Sequence, residues 1–83
     1  MDEDIKKQKV EMWTKKLEQL EKDLASAFIR KGEAAQMGDL RENAAYQEAI
    51  NDIEVCQSRI PEVKKILEQL ENQPGGNKAP KVA

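Results

Sequence analysis

Two apolar stripes with a heptad rhythm constrain this chain more than any other feature of its sequence. In the first half, apolar residues recur at alternating steps of three and four, which places them on one face of a helix: Val10, Trp13, Leu17, Leu20, Leu24 and Ala27. A second stripe keeps the same rhythm: Tyr46, Ala49, Ile53, Cys56, Ile60, Val63, Leu67 and Leu70. Because each stripe needs a partner to bury it, the pattern predicts two long helices packed against each other.

Two residues interrupt this helical pattern. Lys31 stands at the next position of the first stripe, and we expect the buried face to shift there toward Phe28, Gly32 and Ala35. Pro61 stands inside the second stripe, where a proline removes a backbone donor and costs about 3 kcal/mol. Since the heptad continues in phase beyond it, the sequence predicts a kink near Pro61 rather than the end of a helix.

A turn signal lies between the stripes, in the run Met37-Gly38-Asp39-Leu40. Gly38 can adopt a positive φ and end a helix. Asp39 can cap the next helix, with Glu42 at the partner position of a capping box. So short a connection between long helices forces them to run antiparallel.

The predicted fold is therefore all-α, a long antiparallel two-helix coiled-coil hairpin. Folding the chain near Asp39 sets Leu24 beside Cys56, so the two stripes meet in register. Beyond the hairpin the composition changes to glycine and proline, which is typical of a linker or a tail. The expected bounds, in residue numbers, are 1–72 for the hairpin, about 4–37 for helix 1, about 37–41 for the tip turn, about 40–72 for helix 2, and 73–83 for a flexible linker or tail.

Composition excludes several classes of function. The chain has 14 basic and 16 acidic side chains and no histidine, a balance that argues against DNA or RNA binding through a basic surface. The single Cys56 excludes an internal disulfide and a cysteine metal cluster. No apolar run is long enough for a transmembrane segment, so we expect no membrane partner. These features favour a protein of a reducing compartment, the bacterial cytoplasm.

The turn carries a run of residues with a recognisable motif. Residues 38–46 read Gly-Asp-Leu-Arg-Glu-Asn-Ala-Ala-Tyr, which resembles the tip signature of the Gre family of bacterial transcript-cleavage factors. The resemblance extends over residues 5–72 and covers the N-terminal coiled-coil domain of that family. It implies a hairpin that enters the secondary channel of bacterial RNA polymerase. Two tip acids, matching Asp39 and Glu42, then help the polymerase to hydrolyse backtracked RNA from its 3′ end.

The resemblance and the chemistry of phosphodiester hydrolysis together suggest roles for the tip residues. Asp39 and Glu42 are expected to assist catalysis in trans at a Mg²⁺ site shared with the polymerase, Asp39 on the ion and Glu42 on the attacking water. Two acids on a turn cannot hold Mg²⁺ alone, so no tightly bound cofactor is expected. Arg41 and Asn43 are expected tip contacts, Arg41 to an RNA phosphate or a channel acid, while Asn43 also fixes the turn by local hydrogen bonds. The chain would stimulate the polymerase's own endonuclease activity and not be an enzyme itself.

Two departures from the family pattern keep alternatives open. Family members carry a second, globular C-terminal domain, and only eleven residues follow Asn72. Many also have a third acid where this chain has Ala45. One alternative is a regulator that occupies the secondary channel without promoting cleavage. Another is a purely structural coiled-coil module, in which Asp39 and Glu42 are an ordinary pair at a helix start. Because a two-helix rod is marginal alone, self-association through its arms is a further expectation.

Overall fold

Two long helices make up almost all of the computed structural model, which describes residues 3–72. Helix α1 spans Glu3–Ala35 and helix α2 spans Ala44–Glu71, with a short 3-10 turn at Leu40–Glu42 between them. The helices pack side by side along their length, and the predicted all-α hairpin is confirmed. Neither helix has a stretch long and apolar enough to cross a membrane. The predicted linker or tail at 73–83 lies outside the described residues.

The core is a single line of small and medium side chains between the two helices. Leu20, Cys56 and Val63 form its centre. Five further stripe residues pack against that centre while remaining partly exposed: Trp13, Leu17, Leu24, Ile60 and Leu67. Within residues 3–72 no polar or charged side chain is buried. The two heptads therefore meet in the register that the sequence predicts, and apolar side chains form the buried contact between α1 and α2.

The predicted shift of the first stripe at Lys31 is wrong. Phe28 is 47% exposed, and Gly32 and Ala35 also face solvent. The heptad instead continues in phase through the half-buried Lys31 to Ala34, which is only 3% exposed. A lysine can hold this position because its methylene stem covers apolar surface while its ammonium group reaches water.

Helix α2 runs through Pro61 without ending, as the unbroken heptad predicts. Pro61 is exposed, and so is Gln57, whose backbone carbonyl loses its helical partner to the proline. That carbonyl can bond to water instead. The kink expected near Pro61 stays a prediction.

The tip between the helices is longer than the sequence predicts. Helix α1 ends at Ala35 instead of near residue 37, and α2 begins at Ala44 instead of near residue 40. At the end of α1 the backbone tightens into shorter turns, in which the amides of Gln36 and Met37 donate three residues back at 3.2 and 3.0 Å. We refer to residues 36–43 as the tip and to the two helices as the stalk.

Ala27 provides a test of how tightly the stalk is packed. It is fully buried, so Ala27→Leu would force a larger side chain between the helices and is expected to destabilise the hairpin by about 1–3 kcal/mol. Thermal unfolding followed by circular dichroism measures the effect. Ala25→Leu, at an exposed position of the same helix, is the matched control and should leave the unfolding midpoint nearly unchanged. Equal midpoints for both variants would contradict the packing described.

Candidate functional site

The acidic residues singled out in the sequence lie at the tip, at one end of a molecule 57 Å long. Asp39 and Glu42 are both exposed. They line the same shallow surface depression, together with Met37, Asn43 and Ala44. The structure thus brings three of the four predicted site residues to one patch. The fourth, Arg41, lies beside Asp39.

Asp39 caps the 3-10 turn and not helix α2, which corrects the predicted role. Its backbone is extended, with φ −63° and ψ 116°, and its Oδ1 accepts a hydrogen bond of 2.9 Å from the backbone N–H of Arg41. The reason for the difference is that the chain makes one 3-10 turn first and begins α2 only after it. Although it serves as a cap, the Asp39 side chain remains 53% exposed. Capping and access to a ligand are therefore compatible here.

Glu42 follows Asp39 by one turn of the 3-10 helix. Its backbone N–H donates to the Asp39 carbonyl oxygen at 3.3 Å. In a 3-10 turn residues three apart lie above one another, which explains why the two acids border one depression. The sequence predicts that Asp39 and Glu42 form a capping box at the start of α2. In the structure they are instead two exposed carboxylates three residues apart.

Arg41 is almost fully exposed, with 90% of its side chain accessible against 53% for Asp39. Its Nε lies 3.6 Å from Asp39 Oδ1, the same oxygen that accepts from the Arg41 backbone. So exposed an ion pair contributes little stability, and the guanidinium group is free to turn toward another anion. The predicted contact of Arg41 with RNA or with polymerase stays a prediction.

Asn43 is the true N-cap of helix α2. Its Oδ1 accepts from the backbone N–H of Tyr46 at 3.1 Å, and its Nδ2 donates to the carbonyl oxygen of Ala34 at 2.7 Å. The first bond confirms the local hydrogen bonding predicted for this residue. The second bond joins the start of α2 to the end of α1, and the sequence gives no sign of it. Asn43 as a contact to a partner stays a prediction.

The two carboxylates of the tip are of the ligand type that Mg²⁺ binds. Carboxylate oxygens are ligands that Mg²⁺ prefers, but the ion usually takes only one or two of them and completes its shell with water and phosphate. Across residues 3–72, no group of three or more His, Cys, Asp and Glu side chains is placed to hold a metal ion. The Mg²⁺ ion shared with the polymerase stays a prediction.

The stalk carries a second groove, away from the tip, where opposite charges meet across the two helices. Arg30 and Asp52 form an ion pair of 3.0 Å there, with both side chains more than two-fifths exposed. Cys56 lies at the floor of this groove. Burial raises the pKa of its thiol, and the nearby carboxylates of Asp23 and Asp52 raise it further, against an opposing effect of Arg30 and Arg59. The thiol is therefore a protonated core group rather than a nucleophile.

Three features of the structure were not predicted from the sequence. The Arg30–Asp52 pair could have been found from the register of the hairpin, because the two residues lie nearly opposite when the chain folds at the tip. The cap by Asn43 had a signal too, since asparagine is among the favoured N-cap residues. The bond from Asn43 to the Ala34 carbonyl oxygen had no signal in the sequence, because every residue carries a backbone carbonyl.

Comparison with known families agrees with this arrangement. Residues 5–71 match the Gre family model described as transcription elongation factor, N-terminal. The chain belongs to the Gre family. Searches of curated proteins and of solved structures returned no significant match. Family membership supports a role as a transcription elongation factor domain that interacts with RNA polymerase.

Two glycines of this Gre domain test the backbone of the tip. Neither would bring an added Cβ within 4 Å of another atom, but Gly38 has a φ of +126°, which strains any other residue by about 1–3 kcal/mol. Gly38→Ala is therefore expected to destabilise the protein. Gly32→Ala, inside helix α1, should stabilise it by about 1 kcal/mol. Chemical denaturation of both variants gives the two free energies, and a stabilising Gly38→Ala would contradict the turn described.

Proposed function

We propose that this Gre domain inserts its tip into the secondary channel of RNA polymerase and lends Asp39 and Glu42 to Mg²⁺-dependent cleavage of backtracked RNA. One observation carries the proposal, namely that both carboxylates are exposed in one depression at the far end of a slender stalk. Helix α1 alone, with 33 residues, is about 50 Å long at 1.5 Å per residue. Such a stalk can carry the acids into a deep, narrow channel.

The chemistry of phosphodiester hydrolysis explains why acids are needed there. A divalent ion at the reaction centre supplies charge stabilisation and an activated water when it is bound. In our proposal Asp39 contributes a carboxylate oxygen to that ion. We assign this role to Oδ2, because the contacts to Arg41 both use Oδ1. Glu42 accepts a hydrogen bond or a proton from the attacking water.

Arg41 is the third tip residue with a role in the proposed arrangement, namely binding the RNA. Its guanidinium group can make paired, charge-assisted hydrogen bonds to a phosphate of the RNA. Its only described ion-pair contact in the free tip is the exposed one to Asp39, so little is lost when it turns toward the phosphate. The domain then positions groups for a reaction that the polymerase carries out, in the cytoplasm where the polymerase works.

Neutralising the two acids tests the proposal directly. In a stalled, backtracked elongation complex, Asp39→Asn and Glu42→Gln should each lower the rate of RNA cleavage by about 100-fold or more, because loss of a positioned acid or base costs on that order. Glu48→Gln, which neutralises an exposed acid on α2 close to the tip, is the matched control and should leave the rate within about twofold.

Full cleavage by the double variant Asp39→Asn/Glu42→Gln would contradict the proposal. If the chain slowed nucleotide addition equally with and without its tip acids, and never stimulated cleavage, a channel-binding regulator would replace it.

The separate roles of the two acids predict different responses to magnesium. Asp39→Asn removes an oxygen ligand, so half-maximal cleavage should need severalfold more Mg²⁺, and excess ion should restore part of the rate. Glu42→Gln removes a proton acceptor, so its rate should stay low at every Mg²⁺ concentration. Titration of cleavage against Mg²⁺ for each variant makes the comparison. Identical Mg²⁺ curves for the two variants would contradict the assignment of roles.

A further inference from the structure

We propose that Asn43 is a positioning residue, whose amide clamps the acid-bearing tip to the end of helix α1 and so fixes where Asp39 and Glu42 point. The inference rests on the proposed function, because it concerns how the same two acids are presented. It gives Asn43 a role through its neighbours and not through a contact with RNA or polymerase.

The two hydrogen bonds of the Asn43 amide carry the inference. Oδ1 accepts from Tyr46 N–H at 3.1 Å and so secures the first turn of α2. Nδ2 donates to Ala34 O at 2.7 Å, across a sequence separation of nine residues. One side chain therefore binds to both ends of the tip, and it is partly buried while doing so. The residues that bear the acids lie within the loop that this second bond closes.

The acceptor of the clamp is itself held firmly. Ala34 is almost completely buried between the helices, and its carbonyl oxygen also accepts the backbone N–H of Met37 at 3.0 Å. A carbonyl in the last turn of a helix has no partner within the helix, so the tip satisfies it twice. Because Ala34 belongs to the core, its carbonyl oxygen is fixed relative to the stalk. A hydrogen bond to that oxygen therefore fixes the tip relative to the stalk as well.

A direct contact from Asn43 to a partner fits the structure less well. Both ends of its amide already make hydrogen bonds within the chain. Each end keeps one further position, a lone pair on Oδ1 and a hydrogen on Nδ2, but the partial burial of the side chain limits access to them. Asp39, Glu42 and Arg41 are more exposed than Asn43 and make no such cross-helix bond among the described contacts.

Asn43→Ser separates the clamp from the cap. Serine caps helices about as well as asparagine, so α2 should keep its first turn, but its hydroxyl is too short to reach Ala34 as well. In cleavage of a backtracked complex we expect the rate at saturating protein to fall about 10- to 100-fold, because small misplacements of catalytic groups cost that much. The concentration for half-maximal cleavage should change by less than about threefold.

Two further measurements accompany this variant. Asp52→Ala is the matched control, because it removes the other described polar contact between the helices, the 3.0 Å ion pair with Arg30, and it should leave both kinetic values within about twofold. NMR order parameters of the free chain give a readout independent of catalysis. In Asn43→Ser the order parameters of the backbone amides of residues 38–42 should fall from about 0.85 toward 0.6 or below. The order parameters of the stalk amides should stay unchanged.

Each outcome bears on the inference separately from the proposed function. An unchanged rate and unchanged order parameters in Asn43→Ser would overturn the clamp, even if Asp39→Asn abolishes cleavage. Weaker binding with an unchanged saturated rate would also overturn it, in favour of a direct contact. If Asp39→Asn and Glu42→Gln stimulate cleavage normally, the proposed function fails. Lower order parameters at residues 38–42 in Asn43→Ser would still support the clamp.

Discussion

A single narrow line of apolar contact between two helices is the constraint on which everything else in this molecule depends. Leu20, Cys56 and Val63 form its centre, and no polar side chain of the described residues is buried in it. Such a line provides no directional bonds, so within it the heptad spacing sets the register of α1 against α2, and two polar contacts outside it, Arg30–Asp52 and Asn43–Ala34, fit the same register. That register decides which residues reach the end of the stalk together. A slip between the helices would move the tip acids relative to the shaft that carries them.

The tip divides its residues between building the turn and facing solvent. Gly38 provides the positive φ that lets the chain leave α1, and Asn43 binds both helix ends. These contacts satisfy backbone groups that helix ends otherwise leave without partners. Asp39 takes part in both tasks, because its Oδ1 caps the 3-10 turn while its side chain stays half-exposed. Among the described contacts, the turn therefore uses only one oxygen of the two carboxylates that the proposed function requires.

The sequence predicts the stalk well because its signal is repeated many times. Each stripe has several turns in phase, and one charged residue such as Lys31 is too weak an interruption to move the buried face. The start of α2 is predicted wrongly because two residues compete to cap it. Asp39 has an acid three positions later and Asn43 has Tyr46, so the capping-box pattern favours Asp39, although the chain uses it for a 3-10 turn. The bond from Asn43 to Ala34 could not be predicted, because it depends on the path of the backbone through the tip.

The central claim is that the tip reaches the RNA inside the polymerase, and site-specific photo-crosslinking tests it most directly. A benzophenone amino acid at Leu40, which is partly exposed between the two acids, would be irradiated in a backtracked elongation complex with labelled RNA. The same probe at Val55, an exposed position on the stalk, gives the comparison. The account predicts that the Leu40 probe crosslinks to the 3′ segment of the RNA and the Val55 probe to polymerase protein only. A Leu40 probe that crosslinks to the polymerase but never to RNA would contradict it.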